Sequence, residues 1–494
     1  MPDDQAPAPP TESGARMGRA FLSSGLWSGL TLSLNVAGTK LLALAAGPSG
    51  MGRYGLFIQV MQAALMVASL GGAAALMQGL SSRPVAQHMV FMKTVLRTHL
   101  ISMVLAILGT AGWLWLLAPA PIRTALPTPL ALSLAPLVAL GTWQALMVGR
   151  MGARMAVGLQ GLAYAIGAGA TLLVTAATMP WLRTGEGWPF AVMVGANLVV
   201  SIVVGERALR RQSPNTSLGS WPEGARTSRA YPVVALAAMA AGIVAPLALV
   251  CVRAGLAGRD GLEAAGLFHA AWIVANGYML TVLSTFAGHL LPLLAAAREP
   301  AERGPLLDQA LGIVGRWVAP LATLGVGARD MVLALLFAPT FQPAGDLLRW
   351  LLPAALCRSV GWVLAMPLSA RAHLRPMVGV ELLAGLAMVV PLVFVPGSQP
   401  VLYLLGPAVL AGAVAHALAS GVLAIRFHGW APRPQVIRRL VHMVLVVGAV
   451  ALSTAVGTER LLLGVAGALL LVGLDRLREH GALPRHPDTE ETPR

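Results

Sequence analysis

Long apolar segments, one after another, constrain this chain more than any other feature of its 494-residue sequence. Most of them have 18 residues or more, which is enough for an α-helix to cross the ~30 Å hydrocarbon core of a bilayer. A helix is favoured there because it pairs its own backbone N–H and C=O groups. The sequence therefore predicts an all-α polytopic membrane protein with about 14 transmembrane helices. The predicted spans are 21–46, 54–80, 98–118, 128–149, 156–180, 188–208, 231–253, 264–294, 313–338, 344–366, 376–395, 401–425, 438–456 and 459–474.

Charge supports this class of protein and predicts its topology. Hydrophobic residues make up 56% of the chain and charged residues 11%, whereas about a quarter of the residues are charged in soluble proteins. The net charge of +15 comes from 35 basic residues; with the N-terminus inside, 25 fall in cytoplasmic segments, six in outer loops and four within spans. Cytoplasmic loops of membrane proteins collect Arg and Lys. We therefore expect both termini in the cytoplasm and no nucleic-acid partner.

The spans and the polar segments between them predict the domain organisation. The longest connection is polar, basic and rich in turn residues, as expected of a linker between two halves. Cys251 and Cys357 lie within predicted spans, so we expect neither a disulfide framework nor a cysteine metal site. The predicted parts are a disordered cytoplasmic tail at 1–20, an N-lobe of spans 1–6 at 21–208, a cytoplasmic linker at 209–230, a C-lobe of spans 7–12 at 231–425, spans 13–14 at 426–474 and a cytoplasmic tail at 475–494.

Two copies of a glycine motif indicate an internal duplication. GPSGMGRYGLF at 47–57 and GRDGLEAAGLF at 258–268 share the pattern G-x-x-G-x-x-x-x-G-L-F at a constant offset of 211. Trp143 and Trp362 follow at an offset of 219, in the fourth and tenth spans. Six spans separate the motifs, so both face the same side and the halves form a parallel repeat. Because the first motif joins two membrane helices at the predicted outer face, its glycines predict a helix-breaking turn and not a nucleotide loop.

Several of these features resemble a known superfamily. The two six-span halves, the glycine turns that open the second and eighth spans, and LLFAPTFQPAGDLL at 335–348 resemble the polysaccharide transporter branch of the MOP (multidrug/oligosaccharidyl-lipid/polysaccharide) exporter superfamily, and within it the Wzx-like O-antigen flippases. The resemblance covers about 21–425, and the last two spans match its fourteen-span members. It implies two MATE/MOP-like six-helix lobes that alternate access to a central cavity.

The same resemblance implies a function and a location. The implied cargo is a polyprenyl-diphosphate-linked oligosaccharide, which would be flipped across the bacterial inner membrane for cell-surface polysaccharide export. The implied partners are the lipid bilayer, a coupling ion (H⁺ or Na⁺), and polysaccharide polymerase and glycosyltransferase machinery.

Two cations lie near the predicted outer ends of equivalent helices. Lys40 lies seven residues before the first glycine motif, and Arg253 lies five residues before the second. An intramembrane charge is costly, so each needs a partner, a water-filled cavity or a function. Lys40 either snorkels to the outer interface or lines the cleft, since the resemblance implies that the first and seventh spans line the cavity. Both residues are therefore candidates for binding a diphosphate or an acidic sugar.

Four uncharged polar residues are further candidates for substrate binding. Asn35, Gln59, Gln62 and Asn276 fall on the first, second and eighth spans, which the resemblance implies line the cavity. Gln59 and Gln62 are three residues apart, so they share a helix face. These side chains either bind sugar hydroxyls or join helices through hydrogen bonds. His269, on the eighth span, is expected to be an interior or interfacial histidine.

The remaining charges within spans are expected to form pairs. Arg358 and Glu381 lie at similar depths on antiparallel neighbours, which predicts a salt bridge, and Arg358 is also a cavity candidate. Asp346 and Arg349 are three residues apart on one helix and predict a second pair. Asp330 is the deepest acid without an obvious local partner. It is either an ion-coupling site or the partner of a cavity arginine.

The motifs of enzymes do not appear in the sequence. It has no HExxH, no GKS/T phosphate loop and no paired-carboxylate spacing, so we expect a non-enzyme without cofactors or a bound metal. A MATE-like cation-coupled drug exporter is the alternative on the same fold, but acids would dominate its site. A lipid II flippase is a close variant of the first hypothesis. A membrane glycan polymerase would need a sizeable outer loop, and the longest predicted here has about ten residues.

Overall fold

The computed structural model describes residues 10–71, 73–81, 85–154, 156–211, 231–278, 290, 294, 299–370, 373–397, 399–454 and 456–481. Within these residues the regular secondary structure is entirely helical. The α-helices are α1 (Pro10–Ala68), α2 (Ala73–Ser81), α3 (Val85–Gly112), α4 (Ala120–Ala125), α5 (Thr128–Ala153), α6 (Val157–Ala177), α7 (Met179–Arg183), α8 (Trp188–Arg210), α9 (Tyr231–Gly242), α10 (Val244–Arg259), α11 (Gly261–Trp272), α12 (Pro300–Ile313), α13 (Ala319–Gly327), α14 (Arg329–Leu336), α15 (Gly345–Ala370), α16 (Leu374–Phe394), α17 (Leu402–His428), α18 (Pro434–Leu452) and α19 (Gly457–Gly481). Wider π turns continue three of them at Trp113–Leu117, Ile273–Tyr278 and Val314–Val318, and a 3₁₀ turn covers Pro339–Ala344.

Twelve helical stretches among the described residues are long and apolar enough to cross a membrane. The first, Leu26–Ala68, has 43 residues and covers most of the first predicted span and the beginning of the second, whose end lies on α2; as one straight helix it would be ~65 Å long. The eighth predicted span begins with α11, and residues 279–289 of it lie outside the described residues. The prediction of a polytopic all-α membrane protein is therefore confirmed.

Gly47 breaks α1 where the sequence predicts a turn. Its backbone has φ 63° and ψ −175°, a conformation that residues with a Cβ rarely adopt. Pro48 follows and begins the next helical segment, where its missing N–H costs no helical hydrogen bond.

Hereafter the turn end is the end of the molecule that carries Gly47 and Gly261, which the topology predicts to be the outer side.

The two halves repeat one packing pattern, as the duplication predicts. In the first half α1 packs on α6, α3 on α5, and both α5 and α6 on α8. The helices six spans later pack in the same way: α10 on α16, α13 on α15, and both α15 and α16 on α17. The chain therefore forms two parallel-repeat lobes.

The last two helices form a hairpin on the second lobe. α18 and α19 both pack on α13. At Gly327 and Gly464 the backbones of α13 and α19 are in direct contact, because a Cβ added to Gly327 would lie 2.6 Å from the Cα of Gly464.

The ends of the chain differ in part from the predicted boundaries. α1 begins at Pro10, so the first helix extends into residues 10–20, which the sequence assigns to the N-terminal tail; proline is tolerated at a first helical position. α19 continues to Gly481, beyond the predicted end of the last span. Residues 1–9, most of the predicted linker (212–230) and residues 482–494 lie outside the described residues.

Candidate functional site

The two glycine motifs pack against each other where the lobes meet at the turn end. A Cβ on Gly266 would overlap the carbonyl oxygen of Pro48, and a Cβ on Gly52 would overlap that of Leu262. The helix that follows Gly47 therefore contacts α11 backbone to backbone. The motif that predicts the duplication thus also forms the contact between the duplicated halves.

A cavity of about 460 Å³ lies between the lobes beside this contact. Before the break at Gly47, its lining on α1 runs from Ser28 to Leu42, which is ~20 Å along a helix. The second lobe contributes Arg253 from α10 and His269 from α11. The lining includes hydroxyl and amide side chains, and among the described residues it includes no carboxylate.

Arg253 is the charged group of this cavity. It is 2% exposed, and its Nη1 donates to the carbonyl of Gly55 at 2.7 Å and to Oε1 of Gln59 at 2.9 Å. Both acceptors belong to the first lobe, so Arg253 joins the lobes while it faces the cavity. Its Nε has no hydrogen-bond partner within the described part of the chain. The cavity therefore carries a buried positive charge without a countercharge among its described lining residues.

His269 is a second cavity residue, which the sequence indicates only as an interior or interfacial histidine. It is 4% exposed, and neither ring nitrogen has a partner among the described residues. Its ring lies edge-on to Tyr54 with 5.9 Å between centroids. A Cβ on Gly55 would lie 2.7 Å from its Cγ, so the glycine provides its space. The sequence feature that could have identified His269 as a cavity residue is its position three residues after Gly266 of the second motif.

The predicted substrate-binding residues divide into two groups. Asn35, Gln59, Gln62 and Arg253 line the cavity together. Lys40 does not line it: its ammonium crosses to the second lobe and donates to the carbonyls of Leu335 at 2.6 Å and Ala334 at 3.3 Å. The ammonium of Lys40 therefore lies at the end of α14. The last carbonyls of α14 lack partners within their own helix, so they are available as acceptors.

Asn276 and Arg358 line a separate void of about 10 Å³ within the second lobe. Arg358 contacts Glu381 at 3.6 Å, which confirms the predicted salt bridge, and Nε2 of His416 contacts the same carboxylate at 3.4 Å. The Nδ2 of Asn276 and the Nδ1 of His416 are buried without a partner in the described regions.

Asp330 and Asp346, the acids near the turn end, have other neighbours than the sequence predicts. Asp330, predicted to lack a local partner, is paired with Arg460 of α19 and is 49% exposed at its side chain. It is not among the lining residues of the interlobe cavity. The predicted Asp346–Arg349 pair does not form, since no salt bridge joins these two described residues; instead the guanidinium of Arg349 lies 5.1 Å from the ring centroid of Trp350.

The charged residues of the glycine motifs hold neighbouring loops. Arg53 donates to the carbonyl of Gly185, in the loop between α7 and α8, at 2.6 Å. In the second lobe Arg259 donates to Leu392 and Pro396 at the end of α16. Asp260 accepts from the backbone N–H groups of Val401 and Leu402, each at 2.8 Å, where α17 begins. Each motif therefore fixes the loop between the fifth and sixth spans of its own half.

Comparison of the fold with solved structures finds similar proteins. No family model matches the chain, and no curated protein matches it. A structure of the lipid II flippase MurJ in an inward closed conformation is similar over 93% of this chain and 98% of its own, with a TM-score of 0.64 and 10% identity. An inward-facing MATE multidrug resistance transporter of the MOP superfamily is similar over 81% of this chain and 98% of its own, with a TM-score of 0.60 and 12% identity.

A third structure is a MOP superfamily transporter from Pyrococcus furiosus, described as having a binding pocket of reverse polarity that suggests a different function. It is similar over 83% of this chain and 95% of its own, with a TM-score of 0.57 and 14% identity. At these identities the similarity establishes architecture alone. The chain is therefore a multi-pass membrane protein with the fold of the MOP superfamily transporters.

Proposed function

We propose that the chain is an alternating-access transporter that moves a polyprenyl-diphosphate-linked oligosaccharide across the bacterial inner membrane, for cell-surface polysaccharide export. The observation that carries this proposal is the charge of the interlobe cavity. Arg253 faces it from a buried position, and none of its described lining residues is acidic. A buried charge without a countercharge is costly. An anionic group in the cavity would supply the countercharge.

A diphosphate fits the donors that surround the cavity. A guanidinium binds phosphate oxygens through several N–H groups at once, and the Nε of Arg253 is unpartnered in the described part of the chain. Hydroxyl and amide groups of Thr31, Asn35 and Gln62 line the same space. They can donate to phosphate oxygens or exchange hydrogen bonds with sugar hydroxyls. We propose that Arg253, Asn35, Gln59 and Gln62 belong to the headgroup site.

The alternative cargo for this fold is a lipophilic cation, as in a MATE-like drug exporter. Such a cargo would need carboxylates in the cavity, and the described lining offers a guanidinium in their place. The Pyrococcus furiosus neighbour, with its pocket of reverse polarity, indicates that one fold accommodates pockets of different charge. Lipid II, the cargo in the name of the MurJ neighbour, would also present an anionic headgroup and remains a variant of the proposal.

The rest of the proposed context rests on the charge distribution of the sequence and on its resemblance to the polysaccharide transporter branch. The distribution of Arg and Lys supports cytoplasmic termini and an outer location for the turn end. Polysaccharide polymerase and glycosyltransferase machinery and a coupling ion, H⁺ or Na⁺, are the proposed partners. The described residues contain no group of three His, Cys, Asp or Glu side chains arranged to hold a metal ion.

Ligand binding to the purified full chain tests the headgroup site. The probes are geranylgeranyl diphosphate, the uncharged geranylgeraniol and the cation tetraphenylphosphonium. We expect the diphosphate to bind at least about tenfold more tightly than the alcohol, and Arg253→Gln to remove that difference. Arg253→Lys should retain part of it. Arg211→Gln is the matched control, because Arg211 is exposed at the end of α8, remote in the sequence from the cavity lining. Equal binding of both prenyl probes, or preferred binding of the cation, would overturn the proposal.

A further inference from the structure

The short helix α14 is held at both ends by parts of the chain that are distant in sequence. It has eight residues, Arg329–Leu336, and lies between α13 and the 3₁₀ turn at the turn end. At one end it contacts α19 of the C-terminal hairpin, and at the other it contacts the first lobe. It is therefore a connection between the C-terminal hairpin and the contact of the two lobes.

The hairpin fixes the start of α14. Gly327, two residues before α14, has its backbone against Gly464 of α19. One turn earlier on α19, Arg460 pairs with Asp330 in the first turn of α14. The side chain of Arg460 is 7% exposed, so this pair is shielded from solvent on the arginine side and is screened less than a surface pair.

Lys40 holds the other end of α14. Its ammonium donates to the carbonyls of Leu335 and Ala334, in the last turn of the helix. These carbonyls have no partner within the helix, and the helix dipole places partial negative charge there, which favours a cation. Because Lys40 belongs to the first lobe and α14 to the second, the contact closes the turn end from one lobe to the other.

We propose that Lys40 is a latch that keeps the turn end closed by capping α14, and that the C-terminal hairpin anchors α14 so that the latch can hold. Opening of the cavity at the turn end separates the lobes and breaks the two hydrogen bonds of Lys40. The anchor gives spans 13 and 14 a role in gating. This inference rests on the alternating-access part of the proposed function and is independent of the cargo.

Distance measurements between spin labels at the turn end test the latch. Thr124 and Thr340 are exposed residues near the turn end, one in each lobe, and each is replaced by a labelled cysteine after Cys251→Ser and Cys357→Ser remove the native thiols. The full chain is measured in lipid nanodiscs without cargo. Lys40→Met keeps the length of the side chain and removes its charge and donors. We expect the ratio of molecules with the long distance to molecules with the short distance to rise about tenfold, because a hydrogen bond to a charged group is lost.

Two control variants separate the latch from general effects. Lys93→Met changes the other lysine of the chain, which is exposed on α3, and should leave the distances unchanged. Lys40→Arg retains a cationic donor, so most of its molecules should keep the short distance. A Lys40→Met chain with the wild-type distances, or an equal change in Lys93→Met, would overturn the latch.

A further variant tests the anchor. Arg460→Gln leaves Lys40 intact and removes the charge that pairs with Asp330. We expect it to raise the same ratio of long-distance to short-distance molecules, but by less than Lys40→Met does. Wild-type distances in Arg460→Gln, with altered distances in Lys40→Met, would overturn the anchor alone. Because no cargo is present, failure of the latch shows as unchanged distances, whereas failure of the headgroup proposal shows in the binding of prenyl diphosphate.

Discussion

Gly52 of one lobe and Gly266 of the other lie at a crossing of two helices where neither residue has space for a side chain. A Cβ on Gly266 would lie 2.9 Å from the N atom of Gly52 and would overlap the carbonyl of Pro48. Both glycines lie within the two copies of the motif, Gly266 at a position that the copies share and Gly52 at one that they do not. The turn end therefore closes through direct backbone packing, and the cations Lys40 and Arg253 add hydrogen bonds from each lobe to carbonyls of the other.

Gly266→Ala should weaken this contact because the added methyl group forces the two helices apart. Overpacking of this kind costs about 1–3 kcal/mol. We expect a lower thermal unfolding temperature in detergent and a longer Thr124–Thr340 distance. Gly109→Ala is the matched control, since a Cβ there meets nothing within 4 Å. Equal stability of the two alanine variants would contradict the backbone contact.

The Arg358–Glu381 pair allows a test of the second lobe. Glu381→Gln leaves Arg358 without its countercharge in a largely buried site, and removing one partner of a buried pair costs about 3–5 kcal/mol. The double variant Arg358→Met with Glu381→Gln should recover much of that loss in a thermal unfolding measurement. Asp346→Asn, at an exposed acid, should change little. A double variant as unstable as the sum of the two single variants would contradict the pairing.

Asp260 acts as the N-terminal cap of α17 although it belongs to the glycine motif before α11. Asp260→Ala should leave the N–H groups of Val401 and Leu402 without their acceptor and cost about 1 kcal/mol, as the loss of a cap does. Hydrogen exchange at these two amides should become faster. Glu263→Gln, three residues later and exposed, serves as the control. Unchanged exchange in Asp260→Ala would refute the cap.

The sequence predicted the spans and the duplication because both leave local patterns. An apolar run is read from neighbouring residues, and the glycine turn requires its residue type at Gly47, where φ is 63°. Arg358 and Glu381 were also predictable as partners, since their depths on adjacent helices could be counted along the chain.

The contacts between lobes could not be predicted in this way. Lys40 and Leu335 are 295 positions apart, and their contact depends on how two lobes pack, which no local pattern specifies. Asp330 has no obvious local partner in the sequence because Arg460 lies 130 positions later, on the C-terminal hairpin. For the same reason sequence reasoning placed Lys40 as a substrate-binding candidate, whereas the structure turns its amine toward α14.

Transport by the full chain in proteoliposomes tests the central claim most directly. The substrate is a fluorescent polyprenyl-diphosphate-linked oligosaccharide, and its arrival in the other leaflet is followed by chemical quenching of the exposed label. The account predicts transport by the wild type and by Arg211→Gln, and a loss of about tenfold or more in Arg253→Gln. Undiminished transport by Arg253→Gln, or equal transport of the same oligosaccharide on an uncharged prenyl carrier, would contradict it.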